Sequence, residues 1–261
     1  MRKTLNGPVV ADGDLWLYEY FDVPAFSPQT VRDALAETPE GETLTLEINS
    51  GGGSAFAGFE MYSALRGATV PTVAEVQSLA ASAASVVMLG CQEVVASPVA
   101  QVMIHLPSVG TEGNRYDHLE SIGVLDSITE SILNAYTIKA GQRSTRDELK
   151  RLMKSSVWMT APEAKGLGLV DRILGEETID PAAILNCAGT TLAGMRQAMG
   201  VARTPTPEAL RQEYAALVAE GKAPARGEAK AEGGPQPEND AKLRLAKARL
   251  DLERIRFGGM R

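Results

Sequence analysis

Histidine occurs only twice in the 261-residue chain, at positions 105 and 118. Any imidazole that moves a proton is therefore one of these two. His118 lies in the polar stretch "NRYDHLES" and reads as a surface side chain. His105 closes the apolar run "VMIHLP", where a lone histidine is ordinarily a satisfied core residue. Three features shift that reading. "NSGGGS" (49–54) follows directly on a strand pattern, and consecutive glycines let backbone N–H groups turn toward one point. "SLAASAAS" (78–85) puts Ser82 near the start of a buried helix, where the first N–H groups lack internal partners and the helix dipole favours negative charge. Finally, a glycine turn, a helix-start serine and a strand-end histidine in this order gather at one end of an α/β sheet. Together they are the parts of acyl transfer: a nucleophile, a base and oxyanion donors. Ser85, one turn further on, reads as a packing residue. Lys154 and Lys165 read as solvated, which argues against a Ser-Lys pair.

The elements that must position these residues alternate in type. "DLWLYEYF" (14–21) is aromatic and β-favouring and predicts a strand. "SPQTVRDALAET" (27–38) predicts a helix with Ser27 as N-cap and Pro28 in the first turn. Leu44, Leu46 and Ile48 alternate with polar residues, a strand signature, and 55–67 reads as a helix ended by Gly67. A strand over 71–79, a buried helix over 80–90 and short strands in "QEVVAS" and "AQVMIHLP" follow. Residues 115–140 predict one long helix, and "TRDELKRLMKS" an amphipathic one. "TAPEAKGLGLVDRIL" predicts a short helix capped by Thr160 and Glu163, then a last strand. The class is α/β with a mostly parallel sheet.

Composition bounds the function. The apolar fraction of 44% and charged fraction of 23% are ordinary for a globular chain. A net charge of −7 argues against a nucleic-acid partner. Cys91 and Cys187 make no disulfide framework, which fits a reducing cytoplasmic compartment. The apolar run from Leu79 to Cys91 is shorter than the roughly 18 residues of a membrane span, so no membrane partner is expected. The chain reads as a catalytic region over 1–175, an Ala-rich helical extension over 176–221, a Pro/Gly/charge-rich disordered linker over 222–240, and a helix-forming end over 241–261.

Four motifs in order carry a family resemblance. "INSGGG" (48–53), "SLAASAAS" (78–85), "MIHLP" (103–107) and "TAPEAKGLGLVD" (160–171) are similar to the "INSPGG", "GLAASAAS", "MIHQP" and "TAEEAxxxGLxD" motifs of the Clp peptidases. The second motif resembles most the phage branch, the Clp-like prohead or head-maturation proteases. The resemblance implies a Clp/crotonase-type spiral of ββα units with 115–140 as a projecting handle, and a ring-like homo-oligomer. It implies Ser82 as nucleophile and His105 as general base. Gly53, Gly52 and the N–H of Ala83 become the oxyanion hole, and Ser54, Ala55 and Phe56 a strip where substrate pairs as an added β-strand. No metal or cofactor is implied. The implied function is serine endopeptidase action on capsid and scaffold polypeptides within an assembling procapsid in the host cytoplasm, without ATP.

Two departures stand out. Gly51 replaces the family's proline, and Ser156 stands where the family places the third triad member, an Asp. Loss of that carboxylate from a Ser-His-Asp triad lowers turnover by about 10⁴. Three readings follow: a Ser-His dyad oriented by Ser156, a substitute acid at Asp117 or Glu120, or an impaired site. Two rival functions remain, a structural pseudo-protease of the capsid shell and an acyl-CoA hydratase-like enzyme of the same superfold.

Overall fold

The computed structural model describes residues 1–176 and 205–224. They form two units, one built from residues 1–12 with the described part of 26–199, the other from 13–25 with the described part of 200–261. The predicted linker over 222–240 lies almost wholly outside the described residues, and the helix-forming end over 241–261 entirely so.

The larger unit is built on a seven-stranded sheet. Strands β1 (Arg2–Asn6), β2 (Leu44–Ser50), β3 (Thr72–Ala81), β4 (Glu93–Ala96) and β7 (Arg172–Ile173) lie side by side and parallel. β5 (Gln101–Ile104) pairs parallel with β3, and β6 (Val157–Thr160) pairs antiparallel with β5. Leu44, Leu46 and Ile48 are fully buried, as their alternation predicts.

One irregularity organises the site. The β2–β3 register jumps from Ile48↔Val76 to Asn49↔Leu79, leaving Gln77 and Ser78 as a bulge. Ser78 Oγ donates to Asn49 Oδ1 across it. Below the bulge Val73–Val76 pair with β4; above it Leu79–Ala81 pair with β5. A bulge twists and bends the strand that carries it, so β3 changes neighbours midway. Its end then lies beside the end of β5.

The helices cover this sheet. α2 (Pro28–Glu37) starts at Ser27, as predicted, and α3 (Ala55–Arg66) is capped by Ser54 Oγ accepting from Ala57 N–H at 3.3 Å. All eight residues of α4 (Ala83–Gly90) are buried. α3 lies close against it: a Cβ on Gly90 would stand 2.9 Å from Leu65 Cβ, and one on Gly58 3.3 Å from Ala83 Cβ. α5 (Arg115–Ala140) spans the predicted range and is capped reciprocally by Asn114 and Asp117. Its buried residues run only from Thr129 to Ala140, and Tyr116, Leu119 and Ile122 on its first half are exposed. α6 (Arg146–Lys154) and α7 (Ala161–Gly166) follow, α7 with the Thr160–Glu163 capping box. An ion pair between Lys139 and Asp171, whose carboxylate also accepts from Val94 N–H at 2.7 Å, ties α5 to β4 and β7. This is the Clp/crotonase-type α/β architecture.

In the smaller unit the expected strand over 14–21 is a helix, α1 (Asp12–Tyr20). Trp16 and Tyr20, four residues apart, both set their rings edge-on to Tyr214 of α8 (Pro207–Ala219), at 5.0 and 4.9 Å. In a helix residues four apart are close neighbours, near enough for both rings to meet one partner, whereas in a strand they stand about 13 Å apart; the aromatic contact therefore overrides their β preference. Tyr18 OH donates to Pro205 O at 2.8 Å, and burial pushes its pKa up to about 12.

Candidate active site

The buried run "AASAAS" divides between two elements. Ala80 and Ala81 belong to β3, paired with Val102 and Met103, so the helix expected from Ala80 starts at Ala83. Ser82 is the corner residue between them. Its φ of 53° and ψ of −125° lie where a β-carbon is strained, at a cost of about 1–3 kcal/mol. The corner is held by Ser82 N–H donating to Met103 O at 2.9 Å and by the N–H of Ser85 donating to Ser82 O at 3.0 Å. A strand-to-helix corner of this kind projects its side chain off the sheet.

His105 follows the last residue of β5, so the parallel register brings it beside that corner. Its Nε2 lies 2.7 Å from Ser82 Oγ. Both residues are partly exposed. The two histidines thus separate as expected: His118 is exposed on α5, near Thr111 Oγ1 at 3.5 Å.

The glycine turn lies against the same corner. Gly52 is buried with φ +91°, and a Cβ there would stand 2.6 Å from Ser82 Cβ, 2.7 Å from Ala81 O and 2.9 Å from Ala83 N. Val9 N–H donates to Gly52 O and Ser54 N–H to Val9 O, both at 2.9 Å. Gly53 sits between those two bonds. Because a strand's polar groups alternate sides, its own N–H faces away from Val9. Among the described residues neither Gly53 N–H nor Ala83 N–H donates to a protein acceptor.

A cavity of about 640 Å³ opens onto Ser82 and His105. Val86, Ile128 and Ile132 line it with apolar side chains, and Glu112, Asp117 and Glu120 with carboxylates; among the described residues no lysine or arginine lines it. Ser54, Ala55 and Phe56 also line it, but not as the extended strip expected. Ser54 caps α3 and the other two form its first turn, so they do not form the extended strip expected.

The register also locates Ser156. Ile104 faces Val157 in the last pair of β5–β6, and Ser156 and His105 are the residues next to that pair in the chain. Ser156 itself has φ 51°, with its N–H donating to Met153 O at 3.0 Å. Of the substitute acids, Asp117 is committed to the α5 cap through Asn114 N–H at 2.7 Å. Glu120 lines the cavity one turn on.

Sequence reasoning missed what Ser85 does. Its hydroxyl donates to Ser82 O at 2.5 Å and lies 2.7 Å from Tyr136 OH. Tyr136 is wholly buried, which raises its pKa well above the ordinary phenol value. No local pattern announces a contact 51 residues away.

A serine and an imidazole in contact at the ends of adjacent parallel strands, beside unused amides and a cavity, are the parts that a serine-class hydrolase requires. The comparisons narrow the class. The Clp protease family model matches residues 33–177. The ATP-dependent Clp protease proteolytic subunit 1 of Chlamydia abortus is 34% identical over 141 residues, covering 52% of this chain and 72% of that protein. Its counterpart in Salinibacter ruber is 28% identical over 167 residues, covering 61% and 70%. A solved ClpP1 mutant from Listeria monocytogenes matches with a TM-score of 0.54 over 66% of this chain and 90% of its own; at 17% identity it speaks to fold alone. The chain belongs to the Clp protease family, a family of serine peptidases. Among the described residues no helix is long and apolar enough to cross a membrane.

Proposed function

We propose that the protein is a serine endopeptidase in which Ser82 and His105 carry the chemistry. The observation that carries this reading is the 2.7 Å contact between Ser82 Oγ and His105 Nε2, set beside the unused amides of Gly53 and Ala83. Ser82 Oγ attacks the scissile carbonyl as His105 Nε2 takes its proton. The carbonyl oxygen becomes an oxyanion, stabilised by those two N–H groups. The tetrahedral adduct collapses, the C–N bond breaks, and His105 returns the proton to the leaving amine. Water then repeats the sequence on the acyl-enzyme, with His105 again moving the proton. At the position of the third triad member Ser156 supplies a hydroxyl, not a carboxylate. A hydroxyl orients a ring N–H but does not stabilise imidazolium by charge, so the dyad turns over slowly.

A slow peptidase suits substrates held at high local concentration. The proposed substrates are capsid and scaffold polypeptides of a phage or prophage, cut without ATP during head maturation by a ring-like homo-oligomer in the host cytoplasm. The support for this finer reading is the resemblance of "SLAASAAS" to the phage branch, together with a chain that continues well past the family match. The relatives compared above are named as subunits of ATP-dependent proteases. Co-expression with adjacent capsid genes tests the proposal by mass spectrometry. Discrete cleavage of a capsid or scaffold chain, absent with Ser82→Ala, is the expected result. Intact partners alongside a Ser82 that reacts with a fluorophosphonate refute the capsid substrate but keep the peptidase. Intact partners and an inert Ser82 favour the shell protein.

A further inference from the structure

The proposed mechanism leaves one buried polar pair without a task. Ser85 is 0% exposed and Tyr136 1%. Ser85 has one hydroxyl proton, and it goes to Ser82 O at 2.5 Å. The 2.7 Å contact between the two hydroxyls therefore runs from Tyr136 OH to Ser85 Oγ. The result is a directed chain, Tyr136 OH to Ser85 Oγ–H to the carbonyl of Ser82. Ala and Phe would fill the same space without burying two hydroxyls, so packing alone does not call for this pair.

What the chain holds is the informative part. The carbonyl of Ser82 and the N–H of Ala83 belong to one peptide group, which is planar and trans. Fixing the direction of that C=O therefore fixes the direction of the N–H on its other side. The flanking Ser82 backbone has φ 53°, a conformation that relaxes unless surrounding bonds hold it. We propose that Tyr136 and Ser85 are positioning residues that aim the Ala83 N–H at the oxyanion by clamping the Ser82 carbonyl. The inference rests on Ser82 being the nucleophile. Tyr136 belongs to α5, so the seating of that long helix on α4 sets the aim of the donor.

The test compares the wild type with Tyr136→Phe, Ser85→Ala, the double variant and Ser82→Ala. For each, kcat and KM on a fluorogenic peptide, the rate of phosphonylation by a fluorophosphonate, and Tm are measured. Tyr136→Phe keeps the ring and is expected to lower kcat and phosphonylation about 10-fold with KM within 2-fold; a full oxyanion donor is worth about 10²–10³. Ser85→Ala is expected to lower kcat at least as much. The double variant is expected to be no slower than Ser85→Ala, because both substitutions break one chain. Lower Tm with unchanged kcat, or losses that multiply in the double variant, would overturn the inference. Activity surviving in Ser82→Ala, or a wild type not labelled at Ser82, would instead remove the nucleophile on which the pair acts.

Discussion

Adjacent glycines at positions 51 and 52 provide a sharp comparison. A Cβ at Gly51 meets nothing within 4 Å, and its φ lies outside the left-handed region. A Cβ at Gly52 meets Ser82 Cβ at 2.6 Å and two backbone atoms of the Ser82 corner below 3.0 Å, at a φ of +91°. The left-handed conformation costs an alanine about 1–3 kcal/mol, and relieving the overlap costs a similar amount. A total near 3 kcal/mol lowers Tm by roughly 6–12 °C at 2–4 °C per kcal/mol. Relief comes only by moving the corner or the turn, and a shift of about 1 Å in a catalytic constellation costs about 10²-fold. Gly52→Ala is therefore expected to lower kcat about 100-fold in the fraction shown folded by calorimetry. Gly51→Ala is expected to stay within 2-fold in kcat and about 0.5 kcal/mol in stability. Steady-state hydrolysis of a fluorogenic peptide and differential scanning calorimetry supply both numbers. Equal behaviour of the two variants would refute the placement of the glycine turn against Ser82.

Ser156→Asp puts a carboxylate at the position that the family resemblance gives to the third triad member, at a left-handed φ that Asp tolerates; kcat on the same peptide is expected to rise at least 10-fold, and an unchanged or lower kcat contradicts that role for position 156. The carboxylates Glu112, Asp117 and Glu120 give the cavity a negative field. Peptides carrying Arg near the scissile bond are accordingly expected to be cut about 3–10-fold faster than Glu counterparts at low salt, with the ratio shrinking at 0.5 M salt; a ratio insensitive to salt rules this out. Burial pushes the Cys91 thiol up to about 12. In a Cys187→Ser chain, Cys91 should resist iodoacetamide at pH 8 until urea unfolds the protein. A thiol pKa raised by folding means this group's contribution is fully present below its unfolded pKa near 9 and is lost as pH rises beyond it. A stability profile that improves from pH 9 to pH 11 in that chain runs against the sign.

Much of the site was legible because its information is local. Glycines after a strand, a serine at a helix start and a histidine ending an apolar strand each follow from a few neighbouring residues, and parallel strand order brings them together. The long helix over 115–140 and the Thr160–Glu163 cap were equally readable from period and capping chemistry. What escaped was set by distant partners. Residues 14–21 form a helix because Trp16 and Tyr20 meet Tyr214, nearly two hundred positions later. β1, "RKTLN", buries only Leu5 and carries no alternation strong enough to announce a strand. β6 has four residues and exists through its antiparallel pairing with β5. The bulge at Gln77 and Ser78 leaves no local mark either, though it decides which strands Ser82 and His105 end beside. Ser85 looks like packing until Tyr136 is placed against it.

Intact-mass measurement of the full chain after exposure to a fluorophosphonate tests the pairing of Ser82 with His105 most directly. One phosphonyl adduct per chain, mapped to Ser82, absent in Ser82→Ala and at least 100-fold slower in His105→Ala, is the predicted outcome. A folded wild-type chain that takes no adduct, or carries it on another residue, would contradict the account.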